Sequence, residues 1–549
     1  MLRYRDALAA IMDVQHIPHL VPLFLLLLLF VAALAVLAGR LKTPYPIVLV
    51  IGGLVLSQIP HLPQFRLSPN VVFFVILPPL IFSGAFLTSW RDFCFNLTSI
   101  LLLAFGLVVF TVFGVATAAH WILPGFDWRT GLVLGAVVSP TDPIAALSIT
   151  KRFGLPKRVT DLLDGESLVN DATGLLALEF AIAIVVSGRT PALGGGGLRF
   201  LYLVFGSIVI GLAIGKIIHE IEKRIVDAPI EILIGVMAPY FAYLGAEGLH
   251  ASGVMSTVAC GLYLGHRSSD YLSLDARLQA TAVWNTFTFV LNGLVFILIG
   301  LQLPYILSGI RGLGLGKLLL LGLLFSAIVI VLRLLWMYPA AWTSNRIDHH
   351  LLGRPKLFPN LRYVFIVGWT GMRGVLALAA AIALPETLNN GAPFPERNAI
   401  IFFTFSVIFV TLVLQGLTLP AVIRGLGLAG IPSEDPEEDE ARRALAKAAL
   451  QYLEDARKDD RPEFESLYDE LMLVQRRRLS ILAPEPHDNE NHPPENYARM
   501  RNLTREMRTV QRATLMRLHA ENKINDEVLR RLEHELDILV ARFPASGHL

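Results

Sequence analysis

The amino-acid sequence predicts an all-α polytopic membrane protein with a helical tail. Of its 549 residues, 54% are hydrophobic and 17% are charged, whereas soluble domains carry about 25% charged residues. The apolar residues form long blocks, such as Val21 to Ala38 and Leu318 to Leu332. A helix of about 20 apolar residues crosses the hydrocarbon core of a bilayer, which is about 30 Å thick. Repetition of such blocks therefore indicates many spans.

The apolar blocks predict about thirteen transmembrane helices. Their expected limits are 19–39, 44–59, 70–88, 95–123, 129–150, 164–187, 198–219, 228–247, 251–265, 280–306, 315–342, 363–385 and 398–425. The first block follows a basic segment but is longer than the apolar core of a signal peptide, so we expect a retained helix. Helices one to six and eight to thirteen form two six-helix halves of opposite orientation, as in inverted repeats.

Lysine and arginine in the loops predict the orientation. One alternating set of loops contains 16 of them and the opposite set contains 7. Basic loops face the cytoplasm. The N-terminus is therefore expected outside and the tail inside the cell membrane. Residues before Pro432 carry a net charge of +8, which suits loops at a lipid surface, so no nucleic-acid partner is expected.

The composition changes after Leu428, which predicts a transmembrane domain over residues 1–430 and a cytoplasmic helical tail over 431–549. The tail has a net charge of −6 from 19 basic and 25 acidic residues after residue 431. Ser433–Glu440 is expected to be an acidic linker. Amphipathic helices are expected over Ala441–Lys458 and Tyr497–Phe543, separated by the proline-rich Pro484–Pro494. Whether this tail packs on the transmembrane domain, dimerises or regulates it stays open.

The fifth predicted helix contains Ser139-Pro140-Thr141-Asp142-Pro143 within an apolar segment. Two prolines remove backbone donors and crowd preceding carbonyls, so the helix is expected to break in mid-membrane. The freed carbonyls and half-helix ends can bind an ion where they line a cavity. The alternative is a simple kink in which Asp142 caps the second half-helix.

The sixth predicted helix carries a polar stripe in its first half. Residues four apart share a helix face, so Ser167 lies beside Asp171, and Glu166 beside Asn170. Charged groups inside a bilayer are unfavourable, and their oxygens suit a hard monovalent cation. Alternatively, the group lies at a water-exposed helix entrance, which fits Asp164 better than Asp171. The stripe therefore predicts a site for a monovalent cation on this face of the helix.

The twelfth predicted helix is interrupted by Gly368, Gly371 and Gly374, and it places Arg373 among apolar neighbours. A buried guanidinium needs a carboxylate partner, and Glu166 is the expected one. The alternative is an arginine that snorkels to the interface, as expected for Arg333 nearer its own helix end. The fifth and twelfth helices occupy the same position in the two halves. Broken helices in matching positions indicate a midplane transport site.

Several motifs together resemble the monovalent cation:proton antiporter-1 family, which includes the NhaP-like bacterial sodium/proton exchangers. The resemblance covers nearly all of the membrane region. It depends on Leu77-Pro78-Pro79-Leu80-Ile81-Phe82, Ser139 to Pro143, Glu166 to Ala172 and Gly371-Met372-Arg373-Gly374, with weaker matches at Ala246-Glu247-Gly248, Ser252-Gly253-Val254, Leu291-Asn292-Gly293, Ile299 to Gln302 and, in the tail, Ile524 to Asp537.

The resemblance implies roles for individual residues. Asp171 would be the ion- and proton-binding carboxylate, and Asn170 would complete the Asn-Asp pair of members with one-for-one exchange. Ser167, Thr141 and Asp142 would contribute to the ion site, with Ser139 in support, while Glu166 and Arg373 would form a structural ion pair. Family members are homodimers with a transport domain and a dimerisation domain. Many have a glutamate where this chain has Ser83, which leaves the choice between sodium and potassium open.

The expected function is therefore a sodium/proton antiporter that exchanges Na⁺, or Li⁺, for H⁺ by alternating access, in support of pH and sodium homeostasis. Its expected partners are monovalent cations, protons, membrane lipid and a second copy of the chain, with no cofactor. Alternatives are a potassium/proton antiporter on the same scaffold and a cation channel or sensor. An intramembrane hydrolase is disfavoured because no nucleophile lies beside a base, so we do not expect an enzyme.

Overall fold

The structure is a computed structural model of the whole chain. It describes residues 17–59, 69–123, 125–187, 193–308, 310, 314–351, 353, 360–388, 391–428, 436–459 and 464–481, with a few more between 510 and 532. By its internal contacts the chain divides into two compact units, Met1–Ser433 and Glu434–Leu549. Both units are helical over the described residues.

The helices are numbered in chain order. Those of the first unit are α1 Ile17–Leu41, α2 Tyr45–Leu56, α3 Pro69–Leu87, α4 Trp90–Phe95, α5 Leu97–Ile122, α6 Trp128–Val138, α7 Ile144–Arg152, α8 Lys157–Ser187, α9 Gly197–Glu222, α10 Ala228–Gly248, α11 Gly253–Tyr271, α12 Leu274–Leu301, α13 Leu303–Ser308, α14 Leu315–Leu351, α15 Leu361–Trp369, α16 Val375–Ile382 and α17 Arg397–Gly425.

The all-helical prediction is confirmed, since every apolar block of the sequence is helical or a pair of half-helices. Among the described residues, nine helical segments are long and apolar enough to cross a membrane, and α2 and α6 are shorter apolar helices. The total number of spans, the inverted repeat and the two subdomains stay predictions. Several helices extend beyond their predicted ends, most clearly α8, which begins at Lys157, and α14, which continues to Leu351.

Small residues let helices of the first unit pack closely. A Cβ at Gly300 of α12 would lie 2.6 Å from the backbone nitrogen of Leu54 in α2. A Cβ at Gly135 of α6 would lie 2.6 Å from the carbonyl oxygen of Val112 in α5. Glycine at helix crossings allows the backbones to approach, which stabilises helix pairs in lipid by van der Waals contact.

The breaks in two helices are confirmed. Residues 139–143 separate α6 from α7, and residues 370–374 separate α15 from α16; neither segment is helical. The first break follows from Pro140 and Pro143, which supply no backbone donor. The second contains Gly371 and Gly374, which favour helix interiors least after proline.

The second unit contains α18 Pro436–Asp459 and α19 Glu465–Ile481. The two helices pack together, and Arg457 of α18 forms ion pairs with Asp469, at 3.0 Å, and with Glu465 of α19. The predicted helix Ala441–Lys458 lies within α18. The predicted linker Ser433–Glu440 is wrong in its second half, because α18 begins at Pro436, a residue favoured in the first helical turn. Pro484–Pro494 and most of Tyr497–Phe543, including nearly all of Ile524–Asp537, lie outside the described residues.

Candidate functional site

The two broken helices meet at their breaks. The backbone N–H of Asp142 donates a hydrogen bond of 2.8 Å to the carbonyl oxygen of Met372. A Cβ at Gly374 would lie 2.7 Å from Cγ of Asp142, so only glycine leaves room for the carboxylate. The breaks therefore form one junction, and Asp142 occupies its centre.

Charged side chains cover the ends of the half-helices at this junction. Oδ1 of Asp142 accepts a hydrogen bond of 2.9 Å from the N–H of Ile144 at the start of α7, and its carboxylate also faces the start of α16 at Gly374. Nε of Arg373 donates to the carbonyl of Val138 at the end of α6, at 3.0 Å. Helix N-termini carry partial positive charge and C-termini partial negative charge. Each side chain therefore complements the end that it contacts.

Arg333 of α14 covers the fourth helix end. Its Nε and Nη2 donate hydrogen bonds of 3.1 Å each to the carbonyls of Gly368 and Val367 in the last turn of α15. The same guanidinium forms a bidentate ion pair with Glu166, at 2.5 and 2.9 Å. Both side chains are 1% exposed.

The predicted Glu166–Arg373 pair is therefore wrong, and so is the expectation that Arg333 snorkels. Helix α14 extends to Leu351, which places Arg333 mid-helix rather than near an end. Arg373 is 1% exposed, and its guanidinium donates to the carbonyls of Val138 and Gly371. Its Nη2 has no hydrogen-bond partner among the described residues. Arg373 is thus an electrostatic neighbour of the Glu166–Arg333 pair rather than a member of it.

The polar stripe of α8 packs on the first break. Ser167 Oγ donates a hydrogen bond of 2.8 Å to the carbonyl of Thr141. Asn170 Nδ2 donates to Oγ1 of Thr141 at 3.1 Å, and that hydroxyl donates to Glu166 Oε1 at 3.2 Å. Asn170 is fully buried and also approaches the carbonyl of Ser139, at 3.5 Å. The structure therefore brings the predicted polar residues of both helices together.

Asp171 differs from every other acid at the junction. Its side chain is partly exposed, as is that of Asp142, but unlike Asp142 and Glu166 it accepts no hydrogen bond and forms no ion pair with a described residue. It is an electrostatic neighbour of Asp142. The next turn of α8 packs directly on the break, because a Cβ at Gly174 would lie 2.5 Å from Cγ of Pro140. Asp171 thus lies beside the junction with its oxygens free.

By formal charge, the ionisable groups at the junction balance except for one. Glu166 and Arg333 neutralise each other, and Asp142 and Arg373 carry one charge of each sign. Asp171 is the remaining carboxylate. An ionised carboxylate without a partner is unfavourable in the interior of a membrane protein, so this arrangement favours one positive charge bound at Asp171.

Three residues near the junction are missing from the sequence prediction. Tyr45 of α2 is an electrostatic neighbour of Asp142 and lines a cavity of about 460 Å³, which opens between α1, α2, α7 and α17. Thr411 and Gln415 lie at the two ends of a π-helical turn in α17. Thr411 Oγ1 accepts the N–H of Arg373 at 3.1 Å, and the buried carboxamide of Gln415 has no partner among the described residues.

The sequence does contain a signal for Gln415 and for Arg333, the partner of Glu166. Gln415 is a polar residue within an apolar block, and so is Arg333. Charged residues inside a bilayer are candidate functional residues by default. This rule applies to Arg333 as much as to Arg373, so Arg333 was also a candidate partner for a buried carboxylate. Tyr45 gave no such signal, because tyrosine is common near helix ends in membranes.

Comparison with known proteins places the chain in a family. Residues 25–425 match the transmembrane region of the sodium/hydrogen exchangers. This chain belongs to the sodium/hydrogen exchanger family. It is a multi-span membrane protein of a family of ion transporters, and the matched region contains both broken helices and α8.

Relatives and solved structures agree with this assignment. An uncharacterised Na⁺/H⁺ exchanger of Mycobacterium tuberculosis is 32% identical over 512 residues, which is 92% of each chain. A sodium, potassium, lithium and rubidium/H⁺ antiporter of Bacillus subtilis is 31% identical over 448 residues, 79% of this chain and 66% of that one. The sodium proton antiporter MjNhaP1 of Methanocaldococcus jannaschii, at 18% identity and a TM-score of 0.56, covers 75% of this chain and 99% of its own, and shows the same fold.

Proposed function

We propose that this exchanger carries one Na⁺, or Li⁺, in exchange for one H⁺ across the cell membrane, with both ions bound in turn at Asp171. The charge balance of the junction is the observation that supports this most strongly. Asp171 is its only unbalanced carboxylate among the described residues, so the neutral site holds one proton or one monovalent cation. Exchange of two singly charged ions moves no net charge.

The surrounding oxygens suit a hard cation. Ser167 donates its proton to the Thr141 carbonyl, which leaves the lone pairs of its hydroxyl free to accept a ligand. Thr141 offers a hydroxyl and a carbonyl in the broken segment. Carboxylate, hydroxyl and carbonyl oxygens are the ligands that hard cations prefer. In this proposal, Asp171, Ser167 and Thr141 bind the ion, and Asn170 and Ser139 hold the break in place.

Competition for Asp171 gives obligatory exchange. A bound cation displaces the proton and a bound proton displaces the cation, because the carboxylate has room for one neutralising charge. The empty, ionised site is unfavourable in the membrane interior, so only the occupied site passes between the two faces by alternating access. Such exchange would serve pH and sodium homeostasis.

Potassium exchange is the second candidate. It is favoured by the name of the Bacillus subtilis relative, which includes potassium and rubidium. The position of Ser83 also supports it, because the Ser83 hydroxyl donates to the Leu80 carbonyl at 3.0 Å and supplies no carboxylate. The number of ligands and the size of the cavity set the selectivity of a cation site, so a site without that carboxylate is compatible with the larger K⁺.

The decisive experiment compares Asp171→Asn with Glu179→Gln in proteoliposomes. Glu179 is an exposed acid two turns further along the same helix, where it pairs with Arg199. Proton release from acid-loaded vesicles is followed with a pH-sensitive dye after addition of Na⁺, Li⁺ or K⁺. We expect Asp171→Asn to abolish release with every cation and Glu179→Gln to retain it. Exchange that survives in Asp171→Asn would overturn the assignment.

Stoichiometry is tested in the same vesicles. A potassium gradient with valinomycin imposes a membrane potential of either sign while the sodium and proton gradients stay equal. One-for-one exchange predicts initial rates independent of that potential. A rate that changes steeply with its sign would show net charge movement and exclude electroneutral exchange, and single-channel current would identify a channel instead.

A further inference from the structure

A second pair of buried acids lies outside the junction, where α9 ends and α10 begins. Glu222 is the last residue of α9 and is 1% exposed, and Glu231 in the first turn of α10 is fully buried. The two helices are joined by residues 223–227, and the two carboxylates are electrostatic neighbours. Neither forms an ion pair with a described residue.

The hydrogen bonds of this pair are incomplete. Oε2 of Glu231 accepts the backbone N–H of Ser273, just before α12, at 2.9 Å. Oε1 of Glu231 and Oε1 of Glu222 have no partner among the described residues. One oxygen on each carboxylate is therefore buried without a hydrogen-bond donor. That is unfavourable unless a proton or another donor binds there.

The groups around the pair include an unpartnered histidine. Tyr271 at the end of α11 is an electrostatic neighbour of both glutamates, and the ring of His219 packs on it with centroids 5.2 Å apart. His219 is 4% exposed, and its Nδ1 has no partner in the described part of the chain. The titratable and charged groups that face the pair or this histidine are Glu220 on α9, Lys223 just after α9, Cys260, Tyr263, Arg267, Asp270 and Tyr271 on α11, and Glu231 on α10.

Two ionised carboxylates are very unfavourable at a buried site that contains no ion-pair partner among the described residues. Each loses its hydration on burial, and each repels the other in a medium of low dielectric constant. Lys223 and Arg267 are electrostatic neighbours of His219 rather than ion-pair partners of either glutamate. A single proton removes one of the two charges and turns an acceptor that lacks a partner into a hydrogen-bond donor.

We infer that Glu222 and Glu231 share one proton and form a second proton-binding site, separate from the ion site at Asp171. Oε2 of Glu231 already accepts the backbone N–H of Ser273, so we place the proton on Glu222. Loss of that proton places two like charges at the connection between α9 and α10, on the face that the basic loops predict to be cytoplasmic. The site therefore couples the packing of α9, α10 and α11 to pH.

The stability of the chain should depend on pH, because the folded and unfolded states bind different numbers of protons. The folded chain keeps a proton that free carboxylates lose in the unfolded chain near neutral pH. Stability then falls as pH rises, by up to tenfold in the unfolding equilibrium constant per pH unit. Glu222→Gln removes the carboxyl group that holds the proton, and Glu231→Gln removes the negative charge that repels an ionised Glu222. Glu222→Gln should therefore flatten this dependence, and Glu231→Gln should reduce it.

The test measures apparent melting temperature in detergent between pH 6 and 9, without sodium, for the full chain and for both variants. Glu220→Gln is the matched control, because Glu220 is an exposed acid on the same helix. We expect the melting temperatures of Glu222→Gln and Glu231→Gln to fall less per pH unit than that of the wild type. The melting temperature of Glu220→Gln should fall as in the wild type. Slopes equal to that of the wild type in both variants would overturn the inference.

A spectroscopic measurement keeps the inference testable if a variant is poorly expressed. In the presence of sodium, the infrared carbonyl-stretch band of a protonated carboxylic acid should persist in the wild type at neutral pH, and Glu222→Gln should remove it. Sodium displaces the proton of the transport site, whereas it should leave the band of the Glu222–Glu231 pair unchanged. A band that Asp171→Asn abolishes and Glu222→Gln does not would assign the proton to the transport site and refute the second site.

Discussion

The Glu166–Arg333 ion pair offers the sharpest test of how the junction is stabilised. Arg333→Met keeps the length and apolar stem of the side chain but removes the guanidinium. Glu166 then stays 1% exposed with only the hydroxyl of Thr141 as a donor. Removal of one partner of a buried pair destabilises a protein by about 3–5 kcal/mol. The carbonyls of Val367 and Gly368 also lose their donors, so we expect the upper part of that range.

The double variant isolates the pair. Glu166→Gln in the Arg333→Met background removes the stranded charge and should recover about 1–3 kcal/mol, the usual coupling between groups of one network. The measurement is thermal unfolding in detergent, followed by tryptophan fluorescence, with size-exclusion profiles to confirm that each variant is folded at the start.

Arg373→Met is the matched control. Arg373 is equally buried, but its guanidinium bonds only to backbone carbonyls among the described residues. Glu166→Gln should therefore leave the instability of Arg373→Met unchanged. Rescue of Arg373→Met, or strictly additive effects of Glu166→Gln and Arg333→Met, would refute the pairing that the structure shows.

Two further predictions concern the junction and the start of α8. Gly374→Ala should sharply lower exchange and reduce the free energy of unfolding by about 1–3 kcal/mol, because the alanine methyl group would clash with the Asp142 carboxylate. Gly235→Ala is the control, since no atom lies within 4 Å of the new Cβ. It should change neither vesicle flux nor melting temperature. The Lys157 ammonium donates a hydrogen bond of 2.7 Å to Asp92 and holds the pKa of that carboxyl below its usual range. This pair contributes at most about 1 kcal/mol at neutral pH, and the contribution is lost as pH falls through the folded-state pKa of Asp92. The melting temperatures of Asp92→Asn and the wild type should therefore converge on acidification, and a difference that persists in acid would contradict this.

Much of the candidate site was predictable because its signals are local. Proline pairs and clustered glycines interrupt a helix wherever they occur, so both breaks followed from a few residues each. The four-residue repeat placed Ser167 beside Asp171 once a helix was assumed. Even the alternative role of Asp142, as a cap on the second half-helix, follows from its place two residues before Ile144, and its Oδ1 does accept that N–H.

Pairing across helices was not predictable in the same way. Arg333 and Glu166 are separated by 167 positions and Arg373 and Glu166 by 207, so spacing along the chain favours neither partner. Either arginine could neutralise the charge of Glu166. The partner depends on which guanidinium reaches the carboxylate once α14 and α15 have packed, and that depends on helix lengths and crossing points that small errors in the predicted ends obscure.

The sequence by itself determined that this chain is a helical membrane protein, where two of its helices break, and which acid is a candidate for the ion. These follow from hydropathy and backbone chemistry, which act within a few residues. Only the tertiary structure decided that Arg333 neutralises Glu166, that Arg373 covers the end of α6, and that Asp171 is left unbalanced. Electrostatic balance is a property of all charges within a few ångströms, and those charges come from helices far apart in the chain.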